Sequence, residues 1–325
     1  MYSTRLLINL LYLFIGLSIC YISANSGLPL AKDELYYLTI GDNYFGLDLL
    51  GAAKSDSLNY MWPLALNFFG VEEYNKYYRY LGPIVYVFAL WGYVGKNQLI
   101  RLIAFIFSLP VFWYFGTYLR DGFIFIFTLY LLKLADSLVL THGALNRKKL
   151  FLFVSFIFLI STLRFYYAFP FLVMLLIILI EKWSGYKKIY VLIFMIAIFA
   201  IKSETLIYIL NVLPEVSINP LDILRIFLNP LPALSFGESI DRYESAFLYN
   251  ATFIFRLFNT FIIVPTLFCL LFRQRYRFKY QVHYLFLIIL TMMILISGNV
   301  GPRQSFMVGL VAIVLFFKSA FWKKI

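Results

Sequence analysis

Charge is scarce in this chain. Asp, Glu, Lys and Arg make up 14% of its 325 residues, against about a quarter in ordinary soluble domains. So little charge cannot supply the polar exterior that a soluble fold of this length needs. Acidic residues are scarcer than basic ones, 16 against 28, so the formal net charge is +12. An excess of that size suggests nucleic acid, but most Lys and Arg stand in short clusters between apolar runs, as the positive-inside rule requires. Nucleic acid is therefore excluded as a partner. The two cysteines, Cys20 and Cys269, lie inside apolar runs and have no ligand spacing, which excludes a disulfide framework and a cysteine metal site. No glycine-rich phosphate-cradling loop occurs, so neither a nucleotide sugar nor a redox cofactor is implied. With no repeat, low-complexity run or linker, residues 1–325 form a single domain.

What the chain has in quantity is apolar sequence, 62% of its residues, with 21% aromatic. Apolar runs of about 16 to 22 residues recur to the end, the signature of a polytopic α-helical membrane protein. The expected spans are 6–22, 81–95, 102–118, 123–140, 150–163, 165–180, 189–201, 251–272, 282–297 and 305–317. The first has no small-residue cleavage site after it and is read as a retained helix, not a signal peptide. Alternating about ten spans puts every Lys/Arg cluster on the side of the N-terminus, so both termini are expected in the cytoplasm. The expected fold is thus an all-α polytopic membrane protein with two larger outer segments carrying short interfacial helices.

Acidic residues segregate to the outer side under this topology. The polar segment 32–80 carries Asp33, Glu34, Asp42, Asp48, Asp56, Glu72 and Glu73. In so apolar a chain, that concentration is the main candidate for chemistry. Adjacent carboxylates point in different directions, so Asp33 and Glu34 are no ready-made dyad. Either one, set against a sugar hydroxyl, would serve as general base or hold a divalent cation. As solvated loop charges they need no role, and both readings stay open. The other five carboxylates read as surface charges. Asp136 lies in the fourth span three residues after Lys133, where an ion pair within the helix is the expected arrangement.

Basic residues on the outer side are isolated, not clustered. Arg120, Arg164 and Arg303 each occupy a short outer turn; Arg79 precedes the second span, and Arg225 and Arg242 lie in the second outer segment. A guanidinium at membrane-surface depth suits bidentate binding of phosphate oxygens. Several converging there would hold a lipid pyrophosphate. The plainer reading pairs each with a lipid headgroup or with a neighbour such as Asp121. His142 and His283 both fall near the inner side, which disfavours chemistry dependent on an outer or intrabundle histidine. An amphipathic stretch, Leu221-Asp222-Ile223-Leu224-Arg225-Ile226-Phe227-Leu228, is expected to lie flat on the membrane.

The many Phe/Tyr/Leu/Ile-rich spans, the two outer segments and the lone outer arginines together resemble bacterial surface-polysaccharide polymerases of the Wzy and EpsG kind. More distantly the chain is similar to lipid-dependent glycosyltransferases of the GT-C class. That likeness rests on Lys32-Asp33-Glu34-Leu35-Tyr36-Tyr37 after the first span and on Gly301-Pro302-Arg303 before a late one. The resemblance implies a multi-pass enzyme of the bacterial inner membrane that joins undecaprenyl-pyrophosphate-linked oligosaccharide units in O-antigen, capsule or similar polysaccharide synthesis. Asp33 would be the base, Arg120, Arg164 and Arg303 would hold lipid phosphates, and a chain-length regulator would be a partner. The resemblance leaves two other readings: a GT-C transferase of single sugars from a polyprenyl phosphate, and a flippase for the lipid-linked unit.

Overall fold

The computed structural model describes residues 2–25, 79–116, 120–140, 146–182, 281–296 and 302–321. Among these residues the chain forms nine helices and no strand. They are α1 (Tyr2–Asn25), α2 (Arg79–Val94), α3 (Gln98–Phe107), α4 (Leu109–Phe115) and α5 (Asp121–Leu140), then α6 (Arg147–Leu163), α7 (Phe165–Lys182), α8 (Gln281–Ile296) and α9 (Pro302–Phe321). The expected spans 189–201 and 251–272 lie outside the described residues.

Local chemistry sets several boundaries. Gly95 takes φ +93° after the last turn of α2, a left-handed conformation that favours glycine at a helix C-terminus. Asn97 then opens α3, its Oδ1 accepting from Leu99 N at 3.0 Å and Ile100 N at 3.2 Å. Asn146 opens α6 in the same way, accepting from Lys149 N at 3.2 Å. The expected span 102–118 is instead two helices, bent by 53° between Phe107 and Leu109. Pro110 has no N–H to give the carbonyl of Ile106, so the regular ladder stops there. Ser108 at the break is buried; its Oγ donates to Ala104 O at 2.6 Å and accepts from Tyr86 OH at 2.8 Å. A second proline, Pro83 inside α2, leaves Arg79 O without its helical donor. The thiol of Cys20 supplies one from α1, at 3.1 Å.

Helix directions follow from side-chain contacts. Tyr12 stacks on Phe105 at 4.6 Å, while Ser23 Oγ, three turns later, donates to Trp113 O at 2.9 Å. Helix α1 therefore runs parallel to the bent pair α3–α4, which crosses the bundle from one end to the other. Helix α5 returns beside α4 and lies at the centre, packed by α2, α4, α6, α7 and α8. Tyr167 of α7 meets Phe125 of α5, and Phe286 of α8 meets Phe171 of α7. Phe306 of α9 lies against both Phe107 and Phe125, at 5.3 and 4.8 Å. The described segments thus alternate in direction. One end of the bundle gathers Arg79, Arg120, Arg164 and the first turn of α9; the other gathers Gly95, His283 and Lys318.

The polarity of this bundle is inverted relative to a soluble one. Leu7, Leu11 and Phe14 on α1, Leu81, Val85 and Phe88 on α2, and Phe151 and Phe158 on α6 are exposed, Phe14 by 69%. Arg120, Asp121, Arg164 and His283 are buried. Apolar stripes outside and ionisable groups inside suit hydrocarbon as solvent. Among the described residues two helical stretches are long and apolar enough to cross a bilayer, Leu6–Asn25 and Asp121–Val139, or three when the bent pair counts as one. The apolar stretches Tyr167–Leu179, Val282–Ile294 and Phe306–Lys318 are shorter. Among the described residues two or three stretches thus qualify as spans, and the chain is a membrane protein at that level.

Candidate functional site

Arg120 stands immediately before α5, and its carbonyl accepts from Phe123 N and Ile124 N at 3.1 and 3.2 Å, closing the first turn. Asp121 is the first residue of that turn, where the exposed amides of a helix N-terminus favour a carboxylate. Arg164 is the single residue between α6 and α7 and is extended, φ −154° and ψ 104°. Its N–H donates to Ile160 O at 2.7 Å, ending α6, and its carbonyl accepts from Tyr167 N at 3.1 Å, starting α7. Placed thus, Arg164 Nη1 meets Asp121 Oδ1 at 3.1 Å. Asp121 is 1% exposed, Arg120 5% and Arg164 8%. Buried charges of this kind persist only when compensated; Asp121 compensates Arg164 across the helices and is the chain neighbour of Arg120.

Aromatic packing supports the ion pair. Phe115 lies between Gly82 and Gly122, close enough that a Cβ on either would come within 2.6 Å of its ring. Phe123 meets the same ring edge-on at 5.9 Å. Glycine on both helices lets α2, α4 and α5 converge just beneath Asp121.

The six arginines expected to bind phosphate separate as follows. Arg120 and Arg164 are brought together at Asp121. Arg79 begins α2 at the same end. Arg303 is the second residue of α9, one turn before Phe306, so its backbone belongs to this end too. Arg225 and Arg242 lie outside the described residues, as do Asp33 and Glu34. The segment that holds those two carboxylates leaves the described bundle at Asn25 and rejoins it at Arg79, on the arginine end at both sides. Among the described residues no group of three or more His, Cys, Asp or Glu is placed to hold a metal ion.

A second polar cluster occupies the opposite end. Asp136 Oδ1 lies 3.3 Å from Nδ1 of His283, which is fully buried. The expected pairing of Asp136 with Lys133 is not what forms: Lys133 Nζ sits over Gly92 instead. Lys318 donates to Tyr93 O at 2.9 Å, one of the last carbonyls of α2, and lies 4.9 Å from the Tyr93 ring. Arg101 Nε donates to Gly95 O at 2.6 Å. Cations thus terminate α2 where its dipole is negative. Sequence spacing favoured the pair within α5, whereas burial of His283 against Tyr93, ring centroids 5.6 Å apart, draws the carboxylate across to α8. A histidine among the apolar residues of α8 was the one available signal.

The site and fold define a membrane protein, all-helical among the described residues, with a buried arginine–carboxylate cluster at one end. Comparison with protein-family models, curated proteins and solved structures finds no match for the chain.

Proposed function

We propose that this chain is a multi-pass membrane glycosyltransferase of about ten spans, with both termini cytoplasmic, in a bacterial inner membrane. It joins undecaprenyl-pyrophosphate-linked oligosaccharide units on the outer face during surface-polysaccharide synthesis. One observation carries the reading: two arginines from separate outer turns, Arg120 and Arg164, come together at one end of an otherwise apolar bundle. The segment containing Asp33 and Glu34 is attached at that same end.

In this reaction an acceptor sugar hydroxyl attacks the anomeric carbon of the donor as its bond to the lipid pyrophosphate breaks. The hydroxyl proton passes to Asp33, with Glu34 as its neighbour. The departing pyrophosphate carries away the bonding electrons, and Arg120, Arg164 and Arg303 stabilise the charge that develops on it. Arg79, Arg225 and Arg242 add to the positive field around the lipid headgroup. No nucleotide or redox cofactor takes part; a divalent cation on the pyrophosphate is compatible with the chemistry, and a chain-length regulator is a compatible partner.

The test is the length profile of surface polysaccharide in a strain lacking the protein. Glycolipid capped by a single repeat unit supports the polymerase. Long chains of altered sugar composition refute it in favour of a single-sugar transferase. In complementation, Arg120→Gln and Arg164→Lys abolish polymer while protein level is kept; Arg164→Lys preserves the charge beside buried Asp121 but not the guanidinium fork.

A flippase is the second reading, favoured by the Asp136–His283 contact and Lys318 within the bundle, where transporters carry their ionisable groups. Loss of every repeat unit, with intermediates held on the inner leaflet, establishes that reading instead.

A further inference from the structure

The Asp121–Arg164 pair raises a question that a phosphate site alone does not answer. Every phospholipid headgroup at this depth carries a phosphodiester, and a bare arginine pair would take up the first one it met. We infer that Asp121 is a specificity-determining residue, a built-in anion on Arg164 that only a more highly charged group displaces. The inference rests on reading this end as a phosphate site.

Three features of the pair support exchange. Asp121 is held by Arg164 at 3.1 Å with almost no exposure, so the resting site already contains a negative group. Asp121 begins α5, whose amides favour a carboxylate whether or not Arg164 is engaged, and Arg120 is its chain neighbour. Arg164 ends α6, where the helix dipole favours a cation in the same way. Each partner therefore has its own support, and the pair can open without leaving either charge wholly uncompensated. A phosphodiester with one negative charge competes on equal terms with an intramolecular carboxylate and loses to its high effective concentration. A pyrophosphate, with more charge and two sets of oxygens for Arg120 and Arg164, prevails. Discrimination then comes from an obstacle set against the wrong ligand as well as from attraction to the right one.

Asp121→Asn tests this by keeping the shape of the side chain and removing its charge. The purified full chain in neutral-lipid nanodiscs is titrated with undecaprenyl pyrophosphate and, separately, with phosphatidylglycerol, with bound lipid counted by native mass spectrometry. The wild type prefers the pyrophosphate, and Asp121→Asn takes up phosphatidylglycerol so much better that the preference falls by about tenfold or more. An unchanged preference in Asp121→Asn, with Arg164→Gln losing pyrophosphate binding, overturns the role of Asp121 and leaves the phosphate site standing. Equal binding of both lipids by the wild type overturns the role of Asp121, and if Arg164→Gln leaves that binding unchanged it overturns the phosphate site as well. Should Asp121→Asn not fold, the wild type carries the test: inorganic pyrophosphate raises its melting temperature and dimethyl phosphate does not. Equal shifts from the two refute the inference.

Discussion

Gly122→Ala is the most informative single change at the arginine end. An alanine Cβ there would lie 2.6 Å from Phe115 Cε1 and 2.7 Å from Cζ. Ordinary carbon contacts need about 3.5 Å or more, so the ring must move by roughly 0.9 Å. It has little freedom to do so. Gly82 also approaches its Cδ1 and Cε1 atoms, Tyr86 stands at 6.1 Å and Phe123 at 5.9 Å between centroids. Overpacking of this kind costs about 1–3 kcal/mol. Alanine replacing glycine in a helix contributes up to about 1 kcal/mol in the opposite sense. The expected result is a net loss of up to about 2 kcal/mol, read as earlier thermal unfolding of the detergent-purified protein. Phe115→Leu removes the two atoms of closest approach, Cε1 and Cζ. In that background Gly122→Ala is expected to change sign and stabilise. If it stabilises equally in both backgrounds, Phe115 is not wedged between the two helices and the packing described here is wrong.

Two other changes address different parts of the bundle. Phe14→Arg, at an exposed position near the middle of α1, is near neutral for a bundle in water but costs about 2.5–3.5 kcal/mol in a bilayer; carbonate extraction should show reduced membrane integration, and unchanged extraction would contradict a lipid-facing α1. Cys20→Ala removes the donor to Arg79 O and leaves a carbonyl unsatisfied, at about 1–3 kcal/mol. Pro83→Ala returns a helical N–H to that carbonyl, so the double variant should recover most of the loss on thermal unfolding.

What was legible in the sequence was whatever depends on neighbours along the chain. Apolar runs and polar interruptions located the helices to within a few residues: span 81–95 corresponds to Arg79–Val94, and span 123–140 to Asp121–Leu140. Runs of apolar residues do not report where a helix bends, and span 102–118 concealed the break at Ser108 although Pro110 marked it. Arg120 and Arg164 were identifiable because an isolated charge in a short turn stands out against apolar flanks. Their meeting at Asp121 joins residues 43 apart through the packing of α5 against α6, and no local spacing encodes that. The same limit misassigned Asp136. Three residues' separation from Lys133 suggested a pair, while the partner that forms, His283, comes from a helix 147 positions away.

The junction at Arg164 has an evolutionary consequence. With one residue between α6 and α7, the chain reverses with no slack. Loops usually absorb insertions and deletions without disturbing what they connect. Here one added residue would turn the following helix by about 100° and swing Tyr167 away from Phe125. Descendants of this chain are therefore free to vary the length of their longer connections but not of this one, and the arginine's place in the bundle is protected by the count of residues around it.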